Sequence, residues 1–256
     1  MTASRSFCAN NGFGPALISL AIAAGLSAPL HAQSSNLSGA VALSSQLVDR
    51  GMALTPDTPI LQGSASWSSS SGWALGLSAA TEVRSPGHLS EAMAQVAHDW
   101  SLSSDWRMQA GLLYYSYPGN AYASAFDRTE TSVDWMYRDV LTFGLSAIVL
   151  TRGSDHQPRG AADLDFHWPL PRDFSLSAGA GVAQPLTGPY SVYGSYAYGY
   201  HYVRTSSYYG YGHAGLVWGH GPWRVELDRV AVDPNSRRQW GGLVAAPWVG
   251  TISRSF

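Results

Sequence analysis

The chain has 256 residues, of which 45 % are hydrophobic and 12 % charged, a balance too apolar for a disordered polymer and suited to one folding unit. Its 15 basic side chains are all arginine and nearly cancel 17 acidic ones, so no basic face is offered to nucleic acid or to an anionic surface. Twenty-seven Gly, ten Trp and fourteen Tyr favour strands and turns over helices, because rings fit a pleated surface and glycine weakens helices.

Arg5 is the one charge in the first 32 residues, and the apolar run Ala16 to Leu26 is followed by Pro29-Leu30-His31-Ala32-Gln33. This layout predicts a secretory signal peptide over 1–32, cleaved after Ala32, and a mature domain over 33–256. The run is far shorter than the roughly 20 residues a spanning helix needs. Cys8, the single cysteine, precedes the run, so neither a lipoprotein signal nor thiolate metal chemistry is expected in the mature chain.

From residue 37 onward the chain alternates with period two. Strands are expected near 37–50, 60–68, 72–82, 91–101, 105–117, 127–138, 140–151, 160–168, 173–185, 207–219, 222–232 and 240–256. Leu61, Gly63, Ala65 and Trp67 oppose Gln62, Ser64, Ser66 and Ser68. Further along, Arg128, Glu130, Ser132 and Asp134 share one face against Thr129, Thr131, Val133, Trp135 and Tyr137. Leu164, Phe166 and Trp168 oppose Asp163, Asp165 and His167, and Trp223, Val225 and Leu227 oppose Arg224, Glu226 and Asp228. Such strands are two-faced.

The links alternate in length. Ser69-Ser70-Ser71, Ser103-Ser104-Asp105, Arg138-Asp139, Pro171-Arg172-Asp173 and Gly219-His220-Gly221-Pro222 are tight turns. The links 51–59, 83–90, 118–126, 152–159, 184–206 and 233–239 are longer. Backbone polar groups inside a bilayer need partners, so a chain without spanning helices crosses only as a closed barrel. The expected fold is therefore all-β, a transmembrane antiparallel up-and-down barrel of about twelve strands with its short turns on the periplasmic side. An aromatic follows four of the five tight turns, and Trp73, Trp106, Phe174 and Trp223 form an expected aromatic girdle. A secreted two-sheet sandwich also buries one strand face, but it explains neither the girdle nor the loop asymmetry. The Tyr-rich segment 190–209 fits a long outer loop, a strand extension or an additional hairpin.

The chain closes on Trp248-Val249-Gly250-Thr251-Ile252-Ser253-Arg254-Ser255-Phe256. Trp248, Ile252 and Phe256 on one face resemble the signal read by the barrel assembly machinery. Three pieces together resemble the TorF-type porin family of proteobacterial outer-membrane proteins: 37–51 with the following Leu61-Gln62-Gly63, the run Leu113-Tyr114-Tyr115-Ser116-Tyr117-Pro118-Gly119, and the closing Ile252-Ser253-Arg254-Ser255-Phe256. The resemblance implies an outer-membrane barrel with pore activity, and supplies neither a substrate nor catalytic residues. The Tyr-rich stretch and the absence of lysine depart from the family pattern.

With the apolar face outward, the lumen receives Arg107, Gln109, Arg128, Glu130, Asp134, Asp163, Asp165, His167, Arg224, Glu226 and Asp228. This predicts a channel for passive passage of small hydrophilic solutes or ions. Two alternatives stay open. One is a non-conducting structural or ligand-binding barrel that uses its long outer loops, its lumen filled by arginine–carboxylate pairs. The other is an outer-membrane lipid hydrolase. No G-x-S-x-G elbow occurs, and His98, His167 and His213 stand singly in separate strands, so no enzyme is expected. There is no H-E-x-x-H, and His213 and His220 are too far apart to ligate together, so no metal or cofactor is expected. The expected partners are outer-membrane lipid, the assembly machinery and small solutes or ions, and the expected location is the outer membrane.

Overall fold

The computed structural model describes residues 36–119, 123–153, 156–186 and 208–256. Period-two alternation, with β-branched and aromatic residues on one face, produces long strands joined by tight turns. These are β1 (Asn36–Ser44), β2 (Val48–Asp49), β3 (Met52–Ala53), β4 (Ile60–Ser68), β5 (Trp73–Glu82), β6 (Leu89–Ser101) and β7 (Trp106–Ser116). They continue as β8 (Arg128–Tyr137), β9 (Leu141–Leu150), β10 (Arg159–Pro169), β11 (Phe174–Ala183), β12 (Tyr209–His220), β13 (Trp223–Val232) and β14 (Trp248–Ser255). One short helix, α1 (Pro234–Trp240), lies between the last two strands.

All strands except β2 and β3 form one closed antiparallel barrel in which each pairs with its sequence neighbours, and β1 closes the ring against β14. Closure leaves no edge strand and satisfies the backbone ladder all round. At the seam Gly39 and Phe256 exchange backbone hydrogen bonds of 2.9 Å each. The Phe256 ring lies where a Cβ on residue 39 would sit, 2.6 Å from Cε2. A glycine there lets the terminal ring cover the first strand, as cross-strand aromatics do on other sheets.

The tight turns hold residues in the left-handed region, where two-residue hairpin loops match strand twist. Arg138 and Asp139 have φ of 48° and 56°, and Arg172 and Asp173 of 63° and 65°. The Val140 N–H donates to the Tyr137 carbonyl at 2.9 Å across the first of these.

Apolar side chains face outward around the ring. Leu75, Leu77, Leu112, Leu145, Leu164, Phe166, Leu216, Val225 and Leu227 are all exposed, whereas the opposite strand faces carry the buried Gln62, Gln109, Glu130, Asp163 and Asp228. This polarity is the reverse of a soluble protein's. Among the described residues no helix is long and apolar enough to cross a membrane, which says nothing of strands.

The first expected strand, 37–50, is too long: barrel pairing of β1 stops at Ser44. The link expected at 51–59 is not a free outer loop. Residues 45–55 turn inward as the β2–β3 hairpin, and nearly every residue from Gln46 to Thr55 is buried. The last strand likewise begins at Trp248, not at 240, because α1 and a short 3-10 turn, Gly241–Leu243, occupy the preceding stretch. Ala245 donates to the Gly51 carbonyl at 2.9 Å and Met52 bridges to Val244, which ties this stretch to the hairpin. The 1–32 segment lies outside the described residues, as does most of the Tyr-rich segment. Of that segment, Tyr209 begins β12 and is buried.

Candidate functional site: a latched barrel interior

The hairpin arises locally. Val48-Asp49-Arg50-Gly51-Met52-Ala53 has a two-residue turn between Asp49 and Met52, with φ of 47° at Arg50 and 78° at Gly51. Both angles are positive, which is the turn geometry favoured in tight hairpins. A Cβ at residue 51 would lie 2.5 Å from Val232 Cγ2 and 3.1 Å from Tyr211 Cβ, so only glycine fits against β12 and β13. A non-glycine side chain in the left-handed region costs about 1 kcal/mol. Arg50 accepts that cost because the turn aims it across the barrel.

β8, β9 and β10 stand opposite β1 and β4 in the strand order, and Arg50 reaches all three. Its guanidinium donates to both Glu130 carboxylate oxygens in a bidentate pair, one of them at 3.2 Å. It also donates to Ser146 Oγ at 3.3 Å, and its Nε lies 3.8 Å from Asp163 Oδ2. The neighbouring Asp49 carboxylate accepts from Arg128 at 2.7 Å. Arg128, 0 % exposed, also lies 3.5 Å from Glu130, donates to the Tyr117 hydroxyl at 3.2 Å, and stacks over the Tyr115 ring at 4.1 Å. Tyr211 donates to Asp163. Glu130 supplies the opposite charge that burial of the Arg50 guanidinium requires. Charged pairs this deep persist only when each member is matched.

Apolar clusters seal the hairpin at the long-loop end. Leu47 and Leu54 pack with Tyr115, Tyr117, Ala123 and Phe126, while Met52 packs with Ile148, Tyr209 and Tyr211. Burial pushes the Tyr117 hydroxyl well above its ordinary pKa, so it remains a neutral partner for Arg128.

The structure distributes the predicted lumen residues over two levels. Arg128, Glu130 and Asp163 belong to the latch. Toward the tight turns lie Arg107, paired with Asp139, and Gln109, which donates to Asp99 at 2.9 Å. Arg224 donates to Glu226 at 3.0 Å on the same strand. Asp134 accepts from Ser132 at 3.2 Å, and Asp228 is buried over Gly215. His167 is half-buried. Asp163 and Asp165, two apart on β10, take different partners: Arg50 and Tyr211 meet the first, and His213 approaches the second.

His213 is not isolated. Its Nε2 is 3.3 Å from Ser177 Oγ and 3.9 Å from Asp165 Oδ1. A hydrolytic triad needs the acid on the ring nitrogen opposite the nucleophile. Here Ser177 and the acid approach the same nitrogen, so the three are assembled as a polar contact and not as an oriented base. Register places them together, since His213 and Asp165 both pair with Gly179 on β11. The sequence contains no sign of that register. It does contain a sign of the hairpin, in the Arg-Gly pair between the short segments Val48-Asp49 and Met52-Ala53.

Outside, Trp73, Trp106, Phe174 and Trp223 are exposed at the tight-turn ends of their strands. Trp248, Ile252 and Phe256 are also exposed. The Arg254 guanidinium lies over the Trp223 ring at 5.5 Å, and that of Arg229 over Trp248 at 5.3 Å. Both of these outward-facing arginines thus have a ring as partner. Among the described residues no cluster of His, Cys, Asp and Glu is arranged to hold a metal ion.

A closed twelve-stranded antiparallel barrel, apolar outside and charged within, defines a porin-like fold. Solved structures of that class are similar to it. The NanC porin aligns over 86 % of this chain and 99 % of its own, with TM-score 0.52 and 14 % identity. A membrane protein solved in work on in-meso crystallization aligns over 86 % and 83 %, with TM-score 0.51 and 10 % identity. No protein-family model matches the chain, and no curated protein matches it by sequence.

Proposed function

We propose that the chain is an outer-membrane channel for small hydrophilic solutes or ions, in which the 45–55 hairpin forms the narrowest point. The observation that carries this reading is the inverted polarity of a closed barrel, whose exposed leucines and buried charges have a physical reason only in lipid. In this reading residues 1–32 direct export and Trp248, Ile252 and Phe256 engage the assembly machinery. Trp73, Trp106, Phe174 and Trp223 anchor one membrane interface, and the chain is a non-enzymatic relative of the TorF-type porins. The inward-facing residues from Arg107 to Asp228 named above, some buried and some half-buried, line the passage.

The buried latch favours a second reading, a barrel that does not conduct at rest. Single-channel recording of residues 33–256 refolded in planar bilayers separates the two. Stepwise, salt-dependent currents from the native chain support an open channel. Currents that emerge only when 46–55 is replaced by a short Gly-Ser link support a closed one. A variant that inserts and stays silent overturns the channel function.

A further inference from the structure

The hairpin tip offers the wall a carboxylate and a guanidinium side by side, and the wall meets each with opposite charge. Arg128 takes the Asp49 carboxylate at 2.7 Å, and Glu130, Asp163 and the Ser146 hydroxyl surround the Arg50 guanidinium. The side chains of all five charged groups are at most 6 % exposed. The hairpin's own two strands form a separate ladder outside the closed sheet, so the barrel's closure does not require it. We propose that Arg128, Glu130 and Asp163 are a binding site for a small solute that carries both a guanidinium and a carboxylate, an arginine-like solute, and that the Asp49–Arg50 tip is its tethered occupant.

The charges select this class. A simple cation meets repulsion from Arg128, and a simple anion from Glu130 and Asp163, whereas a solute with both signs satisfies all three. The bidentate contact with Glu130 suits the planar fork of a guanidinium better than an ammonium. A tethered occupant competes at a high effective concentration, so the native barrel takes free solute weakly and only as the tip withdraws. This deepens the channel reading by naming its solute, although binding itself needs only the folded barrel.

The test is titration calorimetry with L-arginine on the full mature chain refolded in detergent, native and D49S/R50G. Glycine at position 50 adopts the left-handed backbone freely and keeps the turn. The variant is expected to bind L-arginine saturably, about tenfold or more tighter than the native chain, and not to bind citrulline, whose urea group carries no charge. Adding E130Q and D163N to it is expected to abolish binding. A folded D49S/R50G barrel that takes no L-arginine, or takes citrulline equally well, overturns the proposal. Should that variant not refold, R50G alone keeps the Asp49–Arg128 link and exposes the carboxylates, and failure to bind methylguanidinium then overturns it. Bilayer currents are recorded in parallel. Binding without current refutes the channel and keeps the site, whereas current without binding does the reverse.

Discussion

Substituting Arg128→Met removes the deepest charge in the latch and nearly preserves its volume. It leaves Asp49 and Glu130 buried without their shared partner, and it breaks the Tyr117 hydrogen bond and the stack on Tyr115. Removing one member of a buried ion pair costs about 3–5 kcal/mol, and the lost ring contact adds about 1 kcal/mol. Asp49→Asn keeps a hydrogen-bonding oxygen for Arg128 and is expected to cost less, about 1–3 kcal/mol. In D49N/R128M no acid is left facing a vacated guanidinium at position 49, so the double loss should fall short of the summed single losses by more than about 1 kcal/mol. Because the hairpin lies outside the barrel ladder, part of the loss should emerge as local release and not as global unfolding. Urea titration of the detergent-refolded barrel measures the global part, and amide hydrogen exchange over 46–55 the local part. Additivity within about 0.5 kcal/mol, together with unchanged protection over 46–55, would refute the latch.

Three further expectations follow from single residues. Gly51→Val forces a branched side chain into φ of 78° and against Val232 and Tyr211, which should cost about 2 kcal/mol or more and accelerate proteolysis within 45–55; a protease pattern identical to the native one contradicts the inward packing. Leu164→Arg on the exposed face of β10 should lose about 2–4 kcal/mol in lipid vesicles, and a neutral result there would argue against a lipid-facing belt. Asp233 caps α1, accepting from the Asn235 and Ser236 N–H groups at 3.0 Å each and from Gly210 at 3.1 Å. Partial burial alone would raise its pKa, but the hydrogen bonds from Ser236, Gly210 and Asn235 hold it below the usual carboxylate range. Its contribution is therefore complete above the unfolded carboxyl value of about 3.9 and lost as pH falls through the lower folded value. Side-chain carboxyl NMR is expected to show that depressed midpoint, and D233A to lose about 1 kcal/mol at neutral pH and little at pH 2.

The sequence by itself determined the twelve barrel strands, most of their limits and the faces they present. Period-two alternation is a local property, and a one-residue slip would turn Leu164 and Phe166 inward and Asp163 and Asp165 into lipid. Tight turns such as Arg138–Asp139 were legible because two-residue links between strands admit few geometries. The end of β1 was not, since alternation runs on past Ser44 and only the pairing with β4 and β14 shows where the strand leaves the sheet. Which side chains meet across the lumen was decided by tertiary structure alone. Arg50 finds Glu130 and Ser146 at separations of 80 and 96 residues, and His213 meets Ser177 at 36. Alternation assigns a side chain to a face, but the partner across a lumen depends on strand order, register and curvature, which exist only once the ring has closed.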